Sequence, residues 1–168
     1  MAINEQEIQE IVRSVLKGMG TTAAAPAAPK APEKKLLGIF ETADEAIAAA
    51  KAAQKEIQPM PLEFREKIIA NIRKKTLENA KLLSELAVEE TGMGNVGHKI
   101  IKHQLVAEKT PGTEDLKTIA WSGDRGLTLT EMGPWGVIGA VCPSTNPTCT
   151  VICNSIGMLA AGNAVVFM

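Results

Sequence analysis

The spacing of apolar residues changes along this chain, and each change marks an element. Over NEQEIQEIVRSVLKGM, residues 4 to 19, Ile8, Ile11, Val12, Val15, Leu16 and Met19 recur at intervals of three and four, with Glu5, Gln9, Glu10, Arg13 and Lys17 elsewhere. That period predicts an amphipathic helix within residues 1–19, opened by Asn4 with Glu7 as its cap pair and ended by Gly18 and Gly20. Residues 20–35 are rich in Ala, Pro and Lys, with prolines at 26, 29 and 32 that favour an extended tether and supply no core-forming side chains. The helix is thereby separated from the rest. Its apolar stripe either folds back on the body or docks in a partner's groove.

From residue 36 the chain reads as a folded domain running to residue 168. Thr42 with Glu45 forms a capping box ahead of an Ala-rich helix. Pro59 and Pro61 interrupt it, and a longer helix is expected from Leu62 to Glu90 with Ile68, Ile69, Ile72, Leu82, Leu83 and Leu86 on its buried side. The glycines of TGMGNVG punctuate that helix, and another should cover His98 to Glu108.

The period then shortens. Leu127 and Leu129 alternate with Thr128 and Thr130 as a strand with one wet face, and Gly133-Pro134 suggests a turn. VIGAVC, 137 to 142, reads as a strand buried on both faces. Pro147 opens an apolar helix, Gly162-Asn163 stops it, and AVVF forms a second buried strand. Strand, helix, strand with short connections makes a βαβ unit with parallel strands. The fold class is α/β: helices, a hairpin, then the first βαβ of a Rossmann-like parallel sheet.

Composition narrows the functional classes. The 168 residues are 45% apolar, as in a globular domain, and 18 basic against 19 acidic residues leave no charge excess to attract nucleic acid or an anionic membrane. Aromatic residues, at 3%, are too few for base stacking. Apolar runs are interrupted well short of the roughly 18 to 20 residues of a membrane span, so a cytoplasmic location is expected.

All three cysteines fall between 142 and 153. In a reducing compartment an odd set is not a disulfide framework. Cys149 and Cys153, four apart and in line with Ile156 and Ala160, read as small hydrophobes facing the sheet. No His or Cys-x-x-Cys pair accompanies them to hold zinc. Cys142 borders the loop after the first parallel strand, without an adjacent His or carboxylate to form a thiolate. His98 and His103, five apart, do not share a helical face as ligand pairs do, and are expected at the surface.

In a parallel sheet, ligands sit beyond the carboxyl ends of strands, where a helix N-terminus favours negative charge. Here that place is PSTNP, 143 to 147. It is the best candidate site, with an ordinary helix cap as the alternative. The G-x-G-x-x-G fingerprint is absent, so a dinucleotide would be held in another way.

Four stretches carry a resemblance: VEETGMGNVGHKI (88 to 100), KTPGTEDL (109 to 116), AWSGDRGLTLTEMGPWGVIGAVCPSTNP (120 to 147) and GMLAAGNAVVF (157 to 167). In these the chain resembles the CoA-acylating aldehyde dehydrogenases of bacterial microcompartments, which act on acetaldehyde and propionaldehyde. The resemblance implies that residues 36–168 form part of the cofactor-binding domain of an aldehyde-dehydrogenase-like fold. It also implies a reaction: a cysteine attacks the aldehyde, hydride passes to NAD, and coenzyme A takes the acyl group from the thioester. By the same resemblance Asn146 donates its amide to the oxyanion, while Cys142, Pro143, Ser144 and Thr145 line the nicotinamide side. Residues 4–19 and their tether look like an encapsulation peptide that binds a shell or cargo protein in the microcompartment lumen. A homo-oligomeric parent is implied.

Members of that family are close to three times this length, and none of the three cysteines matches their nucleophile. The chain therefore reads as an interrupted N-terminal portion, inactive alone. The alternative is a short, non-catalytic module that binds shell or cargo through its first helix.

Overall fold

The computed structural model describes residues 37–168, so the expected helix of residues 1–19 and the tether of 20–35 lie outside the described residues. Helix α1 spans Ala43–Ile57 and begins as its sequence requires. The backbone N–H of Glu45 donates to Thr42 Oγ1 at 3.3 Å, and that of Thr42 to the Glu45 carboxylate at 3.4 Å. Helix α2, Leu62–Thr91, ends on Gly92 at φ 64, a left-handed conformation that glycine adopts without a Cβ penalty. Helix α3, Val96–Lys109, starts under Asn95, whose side chain accepts from the backbone N–H of His98.

Helices α2 and α3 pack along each other through small residues. Ile69, Thr76, Ala80, Ser84 and Ala87 form the buried line of α2, with Ala107 and His103 on α3. The two hydroxyls inside this seam are satisfied: Thr76 donates to Ile72 O at 2.8 Å and Ser84 to Ala80 O at 2.6 Å. Leu82 and Leu86, expected inside, are instead 53% and 50% exposed. Each stands two residues from Ser84, about 200° round the helix, so the seam built on Ser84 turns both outward.

At the carboxyl end of α3, Arg73 acts as a cationic cap. Its guanidinium donates to the carbonyls of Ala107, Glu108 and Thr110 at 3.0, 3.2 and 2.8 Å and to Glu114 at 3.0 Å. Bonds from the backbone N–H groups of Glu114 and Gly112, together with Arg73, outweigh desolvation and hold the Glu114 carboxyl below the usual glutamate range.

Strands β1, Ile119–Gly123, and β2, Gly126–Thr130, form an antiparallel hairpin. Every residue in both strands is exposed, Leu127 and Leu129 at 63% and 61%, so the expected dry face of β2 is not found. Alternation marks a strand, but one face becomes dry only if another layer packs on it. Residues 131–135 then run without regular structure, and the positive φ falls at Gly136 (115°) rather than at the expected Gly133-Pro134 turn.

Strand β3, Val137–Ala140, pairs in parallel with β4, Ala164–Phe167, across helix α4, Pro147–Ala160. This is the expected βαβ unit. The ladder continues past both strand ends: Met168 N–H donates to Ala140 O at 2.9 Å and Cys142 N–H to Met168 O at 2.8 Å. Burial is weaker than the apolar run VIGAVC suggests. In β3 only Ala140 is buried, and Val141 is 76% exposed. In this two-stranded sheet each strand has one neighbour, and α1 and α4 are the helices that pack on β4.

The core lies where α4 meets α2. Ile156, fully buried, packs with Ile69 and Ala160, and Ile72, Leu116 and Ile152 close over them. Burying an isoleucine of this kind contributes on the order of 2 kcal/mol. The carboxyl end of α4 is held from two helices, by Arg65 of α2 donating to Ala160 O at 3.3 Å and Gln54 of α1 donating to Gly162 O at 3.2 Å.

Candidate functional site

The parallel pair and α4 place the loop 143–147 at the carboxyl end of β3. Asn146 N–H donates to Pro143 O at 3.1 Å, closing a turn that leaves Pro143, Ser144 and Thr145 exposed and Asn146 half-buried. Cys142, half-buried, is fixed by its backbone bond to Met168, so the five residues 142–146 form one accessible rim.

Asn146 occupies the N-cap position of α4 at φ −150 and ψ 58, yet its side chain makes no capping bond. Thr42 and Asn95, at the other capped helix starts, both use theirs. Pro147 has no N–H, and Thr150 N–H reaches Asn146 O. The remaining N–H groups of the first turn, on Thr148 and Cys149, thus have no side-chain cap and leave the positive end of the helix dipole facing the rim. An amide side chain beside uncapped N–H groups suits a developing oxyanion or a polar carboxamide.

Behind the rim is a buried histidine that sequence spacing placed at the surface. His103 is fully buried. Its Nδ1 lies 2.8 Å from Lys99 O and 3.1 Å from Ser84 Oγ, and its Nε2 lies 2.8 Å from Thr148 Oγ1. The Ser84 hydrogen already goes to Ala80 O, and the Lys99 carbonyl has no proton to give. Nδ1 therefore carries the ring proton and donates to Lys99 O. In the neutral ring Nε2 is then the acceptor for the Thr148 hydroxyl. The signal for burial was present: His103 stands three and four residues before Val106 and Ala107, and three after Ile100, on the inward stripe of α3.

The cysteines divide differently from their spacing. Cys149 is buried, on the inward line of α4 with Ile156 and Ala160. Desolvation pushes its thiol above the ordinary range, against the opposing pull of the Lys102 charge on α3. Cys153 is exposed, contrary to the expected packing role, although it stands on the same helical stripe as the buried Cys149, Ile156 and Ala160.

Asn163, which the sequence marks only as part of a helix stop, is 3% exposed. Its side-chain oxygen accepts from the backbone N–H of Trp135 at 2.6 Å and of Gly136 at 2.9 Å, tying the entry of β3 to the exit of α4. A concavity of about 620 Å³ lies between α1 and β4, with Ala46, Ala50, Phe167 and Met168 in its apolar wall. Among the described residues no group of three His, Cys, Asp or Glu side chains could hold a metal, and no helix is long and apolar enough to cross a membrane.

Residues 37–168 match the sequence profile of the aldehyde dehydrogenase family. An acetaldehyde dehydrogenase (acetylating) of Bilophila wadsworthia is 51% identical, over 99% of this chain and 35% of its own length. A propanal dehydrogenase (CoA-propanoylating) of Salmonella typhimurium is 44% identical over 98% of this chain and 34% of its own. Among solved structures, a propionaldehyde dehydrogenase from the Clostridium phytofermentans fucose utilisation bacterial microcompartment aligns with a TM-score of 0.75 at 68% identity, covering 79% of this chain and 30% of that one. The chain thus spans about a third of the length of the relatives it matches.

Proposed function

The chain belongs to the aldehyde dehydrogenase family, and we propose that it is the N-terminal portion of an NAD-dependent, CoA-acylating aldehyde dehydrogenase that converts a small aldehyde to its acyl-CoA. The observation that carries the reading is the free amide of Asn146 beside the uncapped first turn of α4. A helix-start asparagine that does not cap its helix keeps both N–H donors for a ligand.

In this reading Asn146 donates to the carbonyl oxygen of the substrate as it becomes an oxyanion, and the N-terminal end of α4 adds its positive potential. Cys142, Pro143, Ser144 and Thr145 form the rim on the nicotinamide side. The dinucleotide, when bound, supplies the hydride acceptor. The absence of G-x-G-x-x-G fits an exposed, glycine-free rim that touches the cofactor by side chains and not by close backbone approach. The nucleophilic thiol is assigned to residues beyond 168: Cys149 is buried with a raised pKa, and neither Cys142 nor Cys153 has a histidine or carboxylate bonded to it. Residues 1–168 alone are therefore inactive.

Residues 36–168 serve as part of the cofactor-binding domain. Residues 4–19 bind a shell or cargo protein and bring the enzyme into a microcompartment lumen, and the parent is a homo-oligomer. The microcompartment origin of the solved relative supports this localisation.

The test is an assay of the longer protein and of residues 1–168 side by side, with acetaldehyde or propionaldehyde, NAD and coenzyme A. NADH and acyl-CoA from the longer protein only is the expected result. No acyl-CoA from the longer protein, or turnover by residues 1–168, would overturn the reading.

A further inference from the structure

We infer that His103 is a positioning residue for the rim 142–146, acting through Thr148; this rests on the reading that Asn146 borders the reacting centre. Thr148 is the second residue of α4, two after Asn146, and His103 Nε2 holds its hydroxyl at 2.8 Å. The other bonds that fix the rim are backbone bonds, from Cys142 N–H to Met168 O and from Asn146 N–H to Pro143 O. Neither sets how far the first turn of α4 stands from α3. The bond to Thr148 does, because His103 is itself fixed on its opposite side by Lys99 O and Ser84 Oγ. One ring therefore joins α2, α3 and the start of α4.

Both ring nitrogens of a buried histidine must find partners, and here one of those partners stands in the first turn of α4. Here the Lys99 carbonyl orders the tautomer, and the tautomer decides that Nε2 meets the Thr148 hydroxyl as acceptor. The amide of Asn146 would have to be placed to within a few tenths of an ångström to serve an oxyanion, and a precise side chain needs such support behind it.

The test is hydrogen–deuterium exchange on the longer protein, comparing the parent with His103→Leu, Thr148→Val and Thr148→Ser. Losing one buried hydrogen bond should speed exchange of the amides in 143–150 by about five- to tenfold in His103→Leu and Thr148→Val. The later turns of α4 should keep their protection, and Thr148→Ser should restore the rim. Unchanged exchange in 143–150, or equal acceleration across α2, α3 and α4, would overturn the inference and leave His103 as a core residue. If His103→Leu does not fold, the Val and Ser variants of Thr148 decide alone. In the acylation assay kcat should fall in the same order with KM for coenzyme A unchanged. The exchange result needs no turnover, so an inactive parent defeats the proposed function while the positioning role is judged separately.

Discussion

Asn163 accepts the backbone N–H of Gly136 at 2.9 Å, across 27 residues of sequence and from inside the protein. Because Trp135 N–H reaches the same oxygen at 2.6 Å, one side chain satisfies two donors at the point where β3 begins. Asn163→Ala should destabilise by about 1–3 kcal/mol for each donor left buried. Asn95→Ala removes an exposed cap with a single N–H and should cost only about 1 kcal/mol. Urea unfolding of both variants checks the ranking, and equal losses would mean that Asn163 is not a clasp.

Burial in α2 and α4 gives a second contrast. Ile156 is fully buried, whereas Leu82 is 53% exposed. Ile156→Ala should cost about 2–5 kcal/mol. Leu82→Ala should stay within about 0.5 kcal/mol of the parent. A large loss at Leu82 would show that its outer face is covered.

Asn146 separates two roles that a helix-start asparagine can have. As an oxyanion donor, Asn146→Ala in the longer protein should lower kcat about 10²- to 10³-fold. Its side chain does not cap α4, so unfolding should be unchanged where a lost cap would cost about 1 kcal/mol. A stability loss with kcat preserved would return Asn146 to the ordinary cap that its position alone suggests.

The features that the sequence made legible are those decided within a few residues. Thr42 and Glu45 announce α1 because a capping box is local chemistry. Pro147 and Gly162 bracket α4 by backbone geometry alone, with Gly162 at φ 80. The rim 142–146 could be located because strand and helix signals adjoin there. Asn163 gives no local sign of its role because its partners lie 27 and 28 residues away, whereas the place of His103 on the inward stripe of α3 is local and only its bond to Thr148, 45 residues on, lies beyond any spacing rule. Leu82 and Leu86 failed for a related reason. The period of α2 fits two faces, and the choice was made by Ala80, Ser84 and Ala87, whose small side chains let α3 approach.

The thiols carry a prediction about pH. Burial raises the Cys149 pKa, so the folded protein keeps that proton to a higher pH than the unfolded chain does. The neutral thiol's contribution to stability is fully present below the ordinary thiol pKa. It is lost as pH rises from there through the raised folded value. Cys149→Ala should flatten the decline in stability on the alkaline side of neutrality. Iodoacetamide labelling followed by mass spectrometry gives the matching kinetic order, with Cys153 modified first and Cys149 only when the structure opens. Rapid labelling of Cys149 in the native protein would contradict both parts, and would reopen the assignment of the nucleophile to residues beyond 168.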